Sequence, residues 1–288
     1  MVVIAGGDSP EREISLKSAS SVLRALKELG HEVYLLEPSR NLCKDLMSLS
    51  PQFVFIAVHG SPGEDGKLQG LLDILGIPYS GSGVLGSAIS MDKDVSKKLV
   101  SFHGLKVPRW ICVKERNLEV KWDIYPCIVK PADLGSSVGL YLVKNRESLS
   151  KAINNCLKVS KKVMIEEFIQ GEDYTVAILS GRALTPIMIR PSCEIYDYES
   201  KYTSGKSQYF FVEDSQLSNT LKELAIVAHR ALELGAFSRI DFRVSVTKEI
   251  YFLEANSIPG LTEMSLFPMA CKKDGIDLKD LIEILLKQ

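Results

Sequence analysis

Two acidic side chains near the end of the chain stand at a spacing that suits a metal ion. In the stretch SRIDFRVSVTKEIYFLEAN, at 238–256, residues 239–244 alternate polar and apolar side chains, and an apolar run that ends in Glu254 follows a short polar turn. A hairpin with its centre between positions 247 and 248 sets Asp241 directly opposite Glu254. Carboxylates paired in this way lie roughly 5 Å apart at Cβ and repel each other unless a cation lies between them. The hairpin therefore predicts a cation site, with an exposed polar strand face as the alternative.

The same register adds an arginine and an amide beside the two acids. It sets Arg239 opposite Asn256, and strand alternation puts Arg239, Asp241 and Arg243 on one face. Ligands that offer only oxygen suit a hard cation, and a set without His or Cys favours Mg²⁺ or Mn²⁺ over Zn²⁺. We therefore expect Asp241, Glu254 and Asn256 to bind a divalent ion.

A glycine- and serine-rich loop is the best candidate for binding the phosphates that usually accompany Mg²⁺ in proteins. In IVKPADLGSSVGL, at 128–140, a strand ends in Lys130, and the following loop holds Ser136 and Ser137 among glycines. Backbone N–H groups and hydroxyls there can donate to phosphate oxygens, while Lys130 supplies a point charge. Lys93, in SMDKDVSKK, is a candidate second phosphate lysine. The alternatives are a plain turn and a solvated lysine in the first turn of a helix.

A second glycine-rich stretch points less well to a nucleotide. Residues 81–86, GSGVLG, fit G-x-G-x-x-G, but a proline precedes them. No strand ending in an acid follows about 20 residues on, as a dinucleotide site requires. A Rossmann-type dehydrogenase that binds NAD is therefore the weaker alternative.

The strand KVMIEEFI, at 162–169, suits the base and sugar of a nucleotide. Adenine needs an apolar slot with backbone donors and acceptors, which 165–169 can provide, and Asp173 can accept hydrogen bonds from ribose hydroxyls. An ordinary surface strand is the alternative.

Three further features could hold a substrate or close over it. Glu11, in GGDSPEREISL, lies where a strand enters a helix, although acids there often only complement the helix dipole. His59, in HGSPGEDG, follows a strand on the side where open α/β sheets bind ligands, although a lone His is more often structural. The polar, tyrosine-rich loop at 194–211 has the composition of a lid.

The bulk composition excludes several classes of protein. A chain of 288 residues, 45% hydrophobic and 25% charged, is typical of a globular protein of two or three domains. A net charge of -1 gives no sign of nucleic-acid or membrane-surface binding. The six scattered cysteines lack C-x-x-C spacing and predict reduced thiols. Neither a signal peptide nor a membrane span is predicted, so we expect a cytoplasmic protein.

The pattern of elements predicts three α/β units. Strands alternate with helices up to the Ser/Gly-rich stretch at 79–87, which favours a parallel sheet in an amino-terminal domain at 1–88. Short strands and helices then predict a small central α+β domain at 89–173. A carboxyl-terminal α+β domain at 174–288 carries the hairpin and the lid loop.

In order along the chain, these motifs resemble those of ATP-grasp enzymes, and specifically of the D-alanine:D-alanine ligase family. The matching stretches are GGDSPEREISL, HGSPGEDGKLQGLLDILGIPYSGSGVLGSAISMDK, KPADLGSSVGL, YDYESKYTSG, RIDF and LEANSIPGLTEMSLFP. The resemblance implies the ATP-grasp fold and the ATP-dependent joining of two D-alanines through a D-alanyl phosphate, for peptidoglycan precursors. It also implies two Mg²⁺ or Mn²⁺ ions and a homodimer.

The resemblance further implies a role for each matching residue. It assigns catalysis to Glu11, Ser136, Tyr202, Arg239, Gly260 and Ser265; D-alanine binding to Glu11, His59, Ser265 and Leu266; ATP contacts to Lys93, Lys130, Ser136, Ser137, Glu166, Glu167, Phe168, Ile169, Asp173, Lys201 and Phe242; and the two metal ions to Asp241, Glu254 and Asn256. In this scheme Glu11 holds the first ammonium group, while Arg239 and the Gly260 N–H stabilise the oxyanion.

Three positions bear on substrate choice and nucleotide contact. A tyrosine in the lid's Lys-Tyr pair goes with D-alanine as second substrate in that family, so Tyr202 implies the dipeptide enzyme. Asp173 stands where Glu is common, which shortens its reach, and Phe168 stands where Trp is common. A sister ligase for D-lactate or D-serine, and a nucleotide-binding sensor without turnover, are the alternatives.

Overall fold

The structure, which is a computed structural model, describes residues 1–115, 120–135, 139–191 and 207–287. The amino-terminal part is a parallel three-stranded sheet of order β2-β1-β3 with helices around it. Its strands are β1 (Val2–Ile4), β2 (Tyr34–Leu36) and β3 (Val54–Ile56), and its helices are α1 (Arg12–Glu28), α2 (Leu42–Leu49), α3 (Lys67–Leu75) and α4 (Val84–Met91). Every residue of β1 and β3 is buried, as a parallel sheet covered on its two faces requires. The predicted parallel sheet is confirmed.

A four-stranded antiparallel sheet of order β4-β7-β5-β6 forms the central part of the chain. Its strands are β4 (Trp110–Val113), β5 (Cys127–Pro131), β6 (Tyr141–Val143) and β7 (Val163–Glu167), and its helices along the chain are α5 (Lys93–Phe102) and α6 (Arg146–Cys156). Asp92 caps α5, because its side chain accepts from the N–H groups of Asp94 and Val95. This cap fixes Lys93 as the first residue of the helix.

A six-stranded antiparallel sheet follows, with the path β11-β10-β8-β12-β13 and with β9 paired to β8. The strands are β8 (Gly171–Leu179), β9 (Arg182–Ala183), β10 (Ile187–Pro191), β11 (Ser207–Phe211), β12 (Phe237–Ser245) and β13 (Ile250–Asn256), and the helices are α7 (Ser215–Ala231), α8 (Leu266–Lys273) and α9 (Leu278–Leu286). Alternate residues of β12 are buried, which leaves its polar face toward the cavities described below.

The hairpin of β12 and β13 has the predicted pairing at its acidic residues, although it differs from the prediction in its turn centre and in its register. Asp241 pairs with Glu254, and Arg239 with Asn256, as expected. The loop, however, is centred on Thr247 instead of between two residues, because Ser245 and Glu249 bond at its base. A register shift after Asp241 then adds one residue to β13. The shift restores the pairing at the acidic residues, which now lie beside a β-bulge.

One hydrophobic core joins the amino-terminal and carboxyl-terminal parts of the chain. It contains Val3 and Phe55 from the parallel sheet together with Phe237 and Phe267 from the carboxyl-terminal part. The α5 residue Val100 packs in a second core with the six-stranded sheet. The predicted domain limits at 88 and 173 remain a prediction.

Candidate active site

The first cavity, which we call the inter-sheet cavity, lies between the central sheet and the six-stranded sheet. It encloses about 930 Å³ of space, part of which is open solvent. Eight of the residues expected to contact a nucleotide line it: Lys93, Lys130, Glu166, Glu167, Phe168, Ile169, Asp173 and Phe242. The acids Asp241 and Glu254 line the same cavity.

Lys93 is buried at one end of the inter-sheet cavity. Its Nζ donates to the carbonyl oxygen of Leu134 at 2.7 Å and lies 3.5 Å from Glu254 Oε2. A lysine in a first helical turn is commonly solvated, but this one is held over the cavity by the loop after β5. The position places a cation beside the expected metal ligand.

Lys130 lines the inter-sheet cavity and forms an ion pair with Glu166. Its Nζ donates to Glu166 Oε1 at 3.0 Å, and the other oxygen of Glu166 lies 2.7 Å from Lys97 Nζ. Burial alone would raise the pKa of Glu166, but the charges of Lys130 and Lys97 outweigh it and lower that pKa. Burial would likewise lower the pKa of Lys130, but Glu166 and Glu254 raise it. Glu166 is therefore ionised, and it holds the Lys130 ammonium in place.

Lys97 is fully buried one turn after Lys93. Burial lowers the pKa of Lys97 to about 8 against the attraction of Glu166. Its Nζ also lies 3.3 Å from the carbonyl oxygen of Phe252, next to the bulge in β13. Lys97 thus connects the central sheet, through Glu166, to the strand that carries Glu254.

Asp241 is surrounded by hydrogen-bond donors. Arg239 Nε donates to Oδ1 at 2.9 Å and Nη2 donates to Oδ2 at 2.8 Å, while Thr175 Oγ1 donates to Oδ1 at 2.6 Å. Asn256 Nδ2 donates to Oδ2 at 3.1 Å. These contacts fix the carboxylate on the wall between the two cavities.

The donor set fits a hard divalent ion. Asp241 and Glu254 are directly paired across β12 and β13, and Asn256 contacts Asp241. Within the described parts of the chain, no group of three or more His, Cys, Asp or Glu side chains stands close enough to bind a metal by itself. Two carboxylates and an amide are the ligand set of an ion that takes its remaining ligands from phosphates and water.

The second cavity, which we call the α1 cavity, lies between α1 and the segment that follows β13. It holds about 1810 Å³ of space open to solvent. The residues expected to bind D-alanine or stabilise its oxyanion line this cavity: Glu11, His59, Arg239, Gly260, Ser265 and Leu266. The two expected sets of residues are thus brought together in two neighbouring cavities.

Glu11 is the residue before α1 and is 8% exposed. A side chain at Gly135 would bring its Cβ within 3.0 Å of the Glu11 carboxylate, and one at Gly60 within 3.2 Å. The two glycines therefore let backbone from two loops approach this acid closely. Glu11 faces the α1 cavity instead of capping its helix.

His59 is buried behind Glu11 and is kept neutral. Burial lowers the pKa of His59, although the charge of Glu11 opposes that shift. Ser18 Oγ lies 3.1 Å from His59 Nε2 and accepts from the N–H of Leu261 at 3.2 Å. This chain of contacts connects His59 to the segment that carries Gly260.

Gly260 lies close to Ser265, the residue before α8. A Cβ at this position would lie 2.8 Å from Ser265 Oγ. Ser265 also contacts Thr262, whose Oγ1 lies 2.8 Å from Ser265 Oγ. A side chain at Gly260 would therefore require the Ser265 hydroxyl to move. Ser265 is the residue before α8, and the start of a helix favours an anion.

The sequence-based interpretation missed three buried residues of the site. Glu64 lines the α1 cavity, and burial together with the charge of Glu11 raises the pKa of Glu64 to about 8. Lys97 stands one helical turn after Lys93, a spacing that could have signalled a shared face. Thr175 follows Asp173 by two positions on the same strand face. Four expected residues, Ser136, Ser137, Lys201 and Tyr202, lie outside the described residues.

Comparisons with known proteins identify the family. The protein-family model described as "D-ala D-ala ligase C-terminus" matches residues 95–287, and the one described as "D-ala D-ala ligase N-terminus" matches residues 37–82. The chain belongs to the D-alanine–D-alanine ligase family. It is 48% identical over 288 residues to the D-alanine–D-alanine ligase of Aquifex aeolicus, with 99% of each chain covered. It is 40% identical to that of Geobacter sulfurreducens, over 99% of this chain and 92% of the relative.

Solved structures of ligases share the fold of this D-alanine–D-alanine ligase family member. A ligase from Bacillus anthracis complexed with ATP has a TM-score of 0.86 at 29% identity and covers 99% of this chain and 95% of its own. The VanG D-Ala:D-Ser ligase from Enterococcus faecalis has a TM-score of 0.85 at 28% identity, with 99% and 98% covered. The expected ATP-grasp fold is confirmed, and the dehydrogenase alternative is wrong. No helix in the described ranges is long and apolar enough to cross a membrane.

Proposed function

We propose that this chain joins two D-alanines to D-alanyl-D-alanine for peptidoglycan precursors, with ATP converted to ADP and phosphate. The observation that carries this proposal is the Arg239–Asp241 pair. Asp241 lines the inter-sheet cavity, Arg239 lines the α1 cavity, and two hydrogen bonds join them. A phosphoryl donor in one cavity and an amino acid in the other would meet at this pair. The Bacillus anthracis neighbour is complexed with ATP, and we assign ATP to the inter-sheet cavity.

In the first step a carboxylate oxygen of the first D-alanine attacks the γ-phosphorus of ATP. The bond from that phosphorus to the bridging oxygen breaks, ADP leaves, and a D-alanyl phosphate remains. Lys93 is a buried cation and Lys130 a largely buried one on the cavity wall, so each can offset phosphate charge where little solvent screens it. Glu11 is suited to hold the ammonium group of this D-alanine.

In the second step the amino nitrogen of the second D-alanine, as the free amine, attacks the carbonyl carbon of the acyl phosphate. The carbonyl oxygen becomes an oxyanion, for which Arg239 and the Gly260 N–H are the proposed donors. The bond from carbon to the phosphate oxygen then breaks, phosphate leaves, and the nitrogen loses a proton. The start of α8, at Ser265 and Leu266, is suited to the carboxylate of the second D-alanine.

Asp241, Glu254 and Asn256 are the residues that would hold Mg²⁺ or Mn²⁺, and the implied number of ions is two. When bound, such ions neutralise charge on the transferred phosphoryl group. Lys93 beside Glu254 and Arg239 beside Asp241 already supply positive charge at the two acids. The roles implied for Ser136, Ser137, Lys201 and Tyr202, the cytoplasmic location and the homodimer remain proposals of the same kind.

A substrate series tests the function. Phosphate release from ATP is measured with D-alanine, L-alanine, D-serine and D-lactate in turn, each also paired with D-alanine, and the products are separated. We expect release with D-alanine alone, accompanied by one dipeptide per phosphate. A mixed product formed faster than the D-alanine dipeptide would favour a sister ligase, and ATP binding without turnover would favour a sensor.

A further inference from the structure

Arg243 is a largely buried arginine of the inter-sheet cavity that the proposed mechanism does not use. It lies on β12 two residues after Asp241, on the same face, and lines the cavity. Its side chain is 11% exposed. A permanently charged guanidinium at such a position costs free energy of desolvation unless its donors and its flat faces are well paired.

Three groups pair with Arg243, and all three belong to the expected base and ribose end of the cavity. Nη1 lies 2.9 Å from Asp173 Oδ1, and Nε donates to the carbonyl oxygen of Ile169 at 2.9 Å. The guanidinium carbon lies 5.3 Å from the centre of the Phe168 ring, which is the distance of a cation–π contact. The Arg243 side chain thus contacts the Asp173 carboxylate, the Ile169 carbonyl oxygen and the Phe168 ring.

The strand register explains why these contacts form together. Arg243 on β12 is the direct cross-strand partner of Asp173 on β8, so their side chains share a face. Phe168 and Ile169 lie in the short connection between β7 and β8. Arg243 therefore fastens the end of the central sheet to the six-stranded sheet along the cavity wall.

We propose that Arg243 is the positioning residue for the ribose end of ATP, and that it acts by orienting Asp173 and Phe168. The proposal rests on the proposed ATP-dependent function. Asp is one methylene shorter than Glu, so its reach toward a ribose hydroxyl depends closely on where its carboxylate is held. A carboxylate can accept about four hydrogen bonds, so the bond to Arg243 leaves capacity for a ribose hydroxyl. Lysine cannot replace this arrangement, because it lacks the planar fork that bonds two acceptors and stacks on a ring.

A second arginine on the same sheet provides a matched control. Arg190 on β10 lies 3.9 Å from Glu172 and has its guanidinium carbon 5.3 Å from the centre of the Phe210 ring. Its side chain is 53% exposed, and it does not line the inter-sheet cavity. Arg190→Met therefore removes an arginine with the same kinds of partner, on the same sheet, away from the nucleotide.

The test compares ATP with 2′-deoxyATP and 3′-deoxyATP. Equilibrium dissociation constants, and kcat/KM with saturating D-alanine, are measured for the unaltered chain, Arg243→Met, Arg243→Lys and Arg190→Met. We expect the unaltered chain to prefer ATP over at least one deoxy analogue by about tenfold, the value of one hydrogen bond to a charged acceptor. Arg243→Met should reduce that preference to about twofold or less, Arg243→Lys should give an intermediate value, and Arg190→Met should leave it unchanged.

A double-substitution cycle then tests whether Arg243 acts through Asp173. Asp173→Asn should remove the preference for the ribose hydroxyl, and Arg243→Lys in that background should change it no further. An unaltered preference in Arg243→Met and Arg243→Lys would overturn the proposal, as would equal affinity of the unaltered chain for ATP and both analogues. If Arg243→Met does not fold, the double-substitution cycle with Arg243→Lys tests the proposal in its place. Failure of the unaltered chain to release phosphate from ATP with D-alanine would instead count against the proposed function.

Discussion

Arg239 and Asp241, two positions apart on β12, form a two-point ion pair along the face of their own strand. Nε and Nη2 of the arginine lie 2.9 Å and 2.8 Å from the two carboxylate oxygens. The fork geometry fixes the guanidinium where the two cavities meet. Arg239 therefore lines the α1 cavity, proposed for the amino acids, while its partner Asp241 lines the inter-sheet cavity, proposed for the nucleotide.

Replacing Arg239 by Lys should lower kcat by about a hundredfold, because one oxyanion donor of this kind is worth roughly two to three orders of magnitude. The charge remains, but the fixed fork is lost. The dissociation constant for ATP should change less than kcat, since Arg239 lines the α1 cavity. Steady-state kinetics and equilibrium ATP binding measure the two effects. Arg190→Lys is the control, and an equal loss in the two variants would count against the assigned role.

Replacing Glu254 by Gln should lower kcat/KM by at least about a hundredfold while the chain stays folded, because a bound metal ion contributes several kcal/mol. Glu249→Gln is the matched control, since Glu249 lies in the same hairpin and pairs with exposed Lys106. Chelation of divalent ions with EDTA should stop the unaltered enzyme, and Mg²⁺ or Mn²⁺ should restore it. Near-normal turnover of Glu254→Gln across Mg²⁺ concentrations would contradict the metal assignment.

Replacing Lys97 by Met should raise the KM for ATP by about tenfold and lower stability by about 3–5 kcal/mol, the cost of breaking a buried ion pair. The loss leaves Glu166 with a single cation, so Lys130 is less firmly held. Lys98→Met is the control, because Lys98 is exposed and makes only an i,i+4 pair with Asp94. That pair is worth no more than about 0.5 kcal/mol. Thermal melts and ATP kinetics check the contrast, and identical behaviour of the two variants would refute it.

The stability of the chain should fall as pH rises from about 4.5 to about 8 through the buried acid Glu64. Burial and the charge of Glu11 raise the pKa of Glu64 from its ordinary value of 4.5 to about 8. In this window the unfolded chain releases the proton while the native chain keeps it, so the native state is penalised with increasing pH. The penalty is absent below about 4.5 and constant above about 8.

Glu64→Gln resembles the protonated acid and should retain the bond from the Gly60 N–H, which lies 2.7 Å from Glu64 Oε2. At pH 7 this variant should be more stable than the unaltered chain by on the order of 2 kcal/mol, with a flatter dependence on pH. Urea unfolding between pH 5 and 9 measures both effects. Parallel curves for the two proteins would contradict the buried, protonated state, and exposed Glu263→Gln controls for loss of a surface charge.

Local patterns predicted the fold class and the Asp241–Glu254 pair, whereas the roles of most site residues came from the family resemblance and remain proposals. Gly30 follows the end of α1 in a left-handed conformation, which glycine adopts readily at the end of a helix. The pairing of Asp241 with Glu254 was predicted from a turn centre that was wrong by half a residue, and a bulge that the sequence does not indicate restores that pairing.

The buried charges of Lys97 and Glu64 could not be predicted in the same way. Their burial depends on elements far apart in sequence, since Lys97 on α5 meets Glu166 on β7. Arg243 had been placed on the right face, but its partners come from β8 and from the connection before it. Such contacts arise from packing between sheets, which periodicity within one strand does not encode.

Transfer of labelled oxygen from D-alanine to phosphate is the most direct test of the proposed reaction. D-alanine carrying ¹⁸O in its carboxylate is incubated with ATP and Mg²⁺, and the phosphate and the dipeptide are analysed by mass spectrometry. Formation and breakdown of a D-alanyl phosphate predicts one ¹⁸O in the released phosphate for each dipeptide formed. Unlabelled phosphate, or phosphate released without dipeptide, would contradict the reaction proposed for this chain.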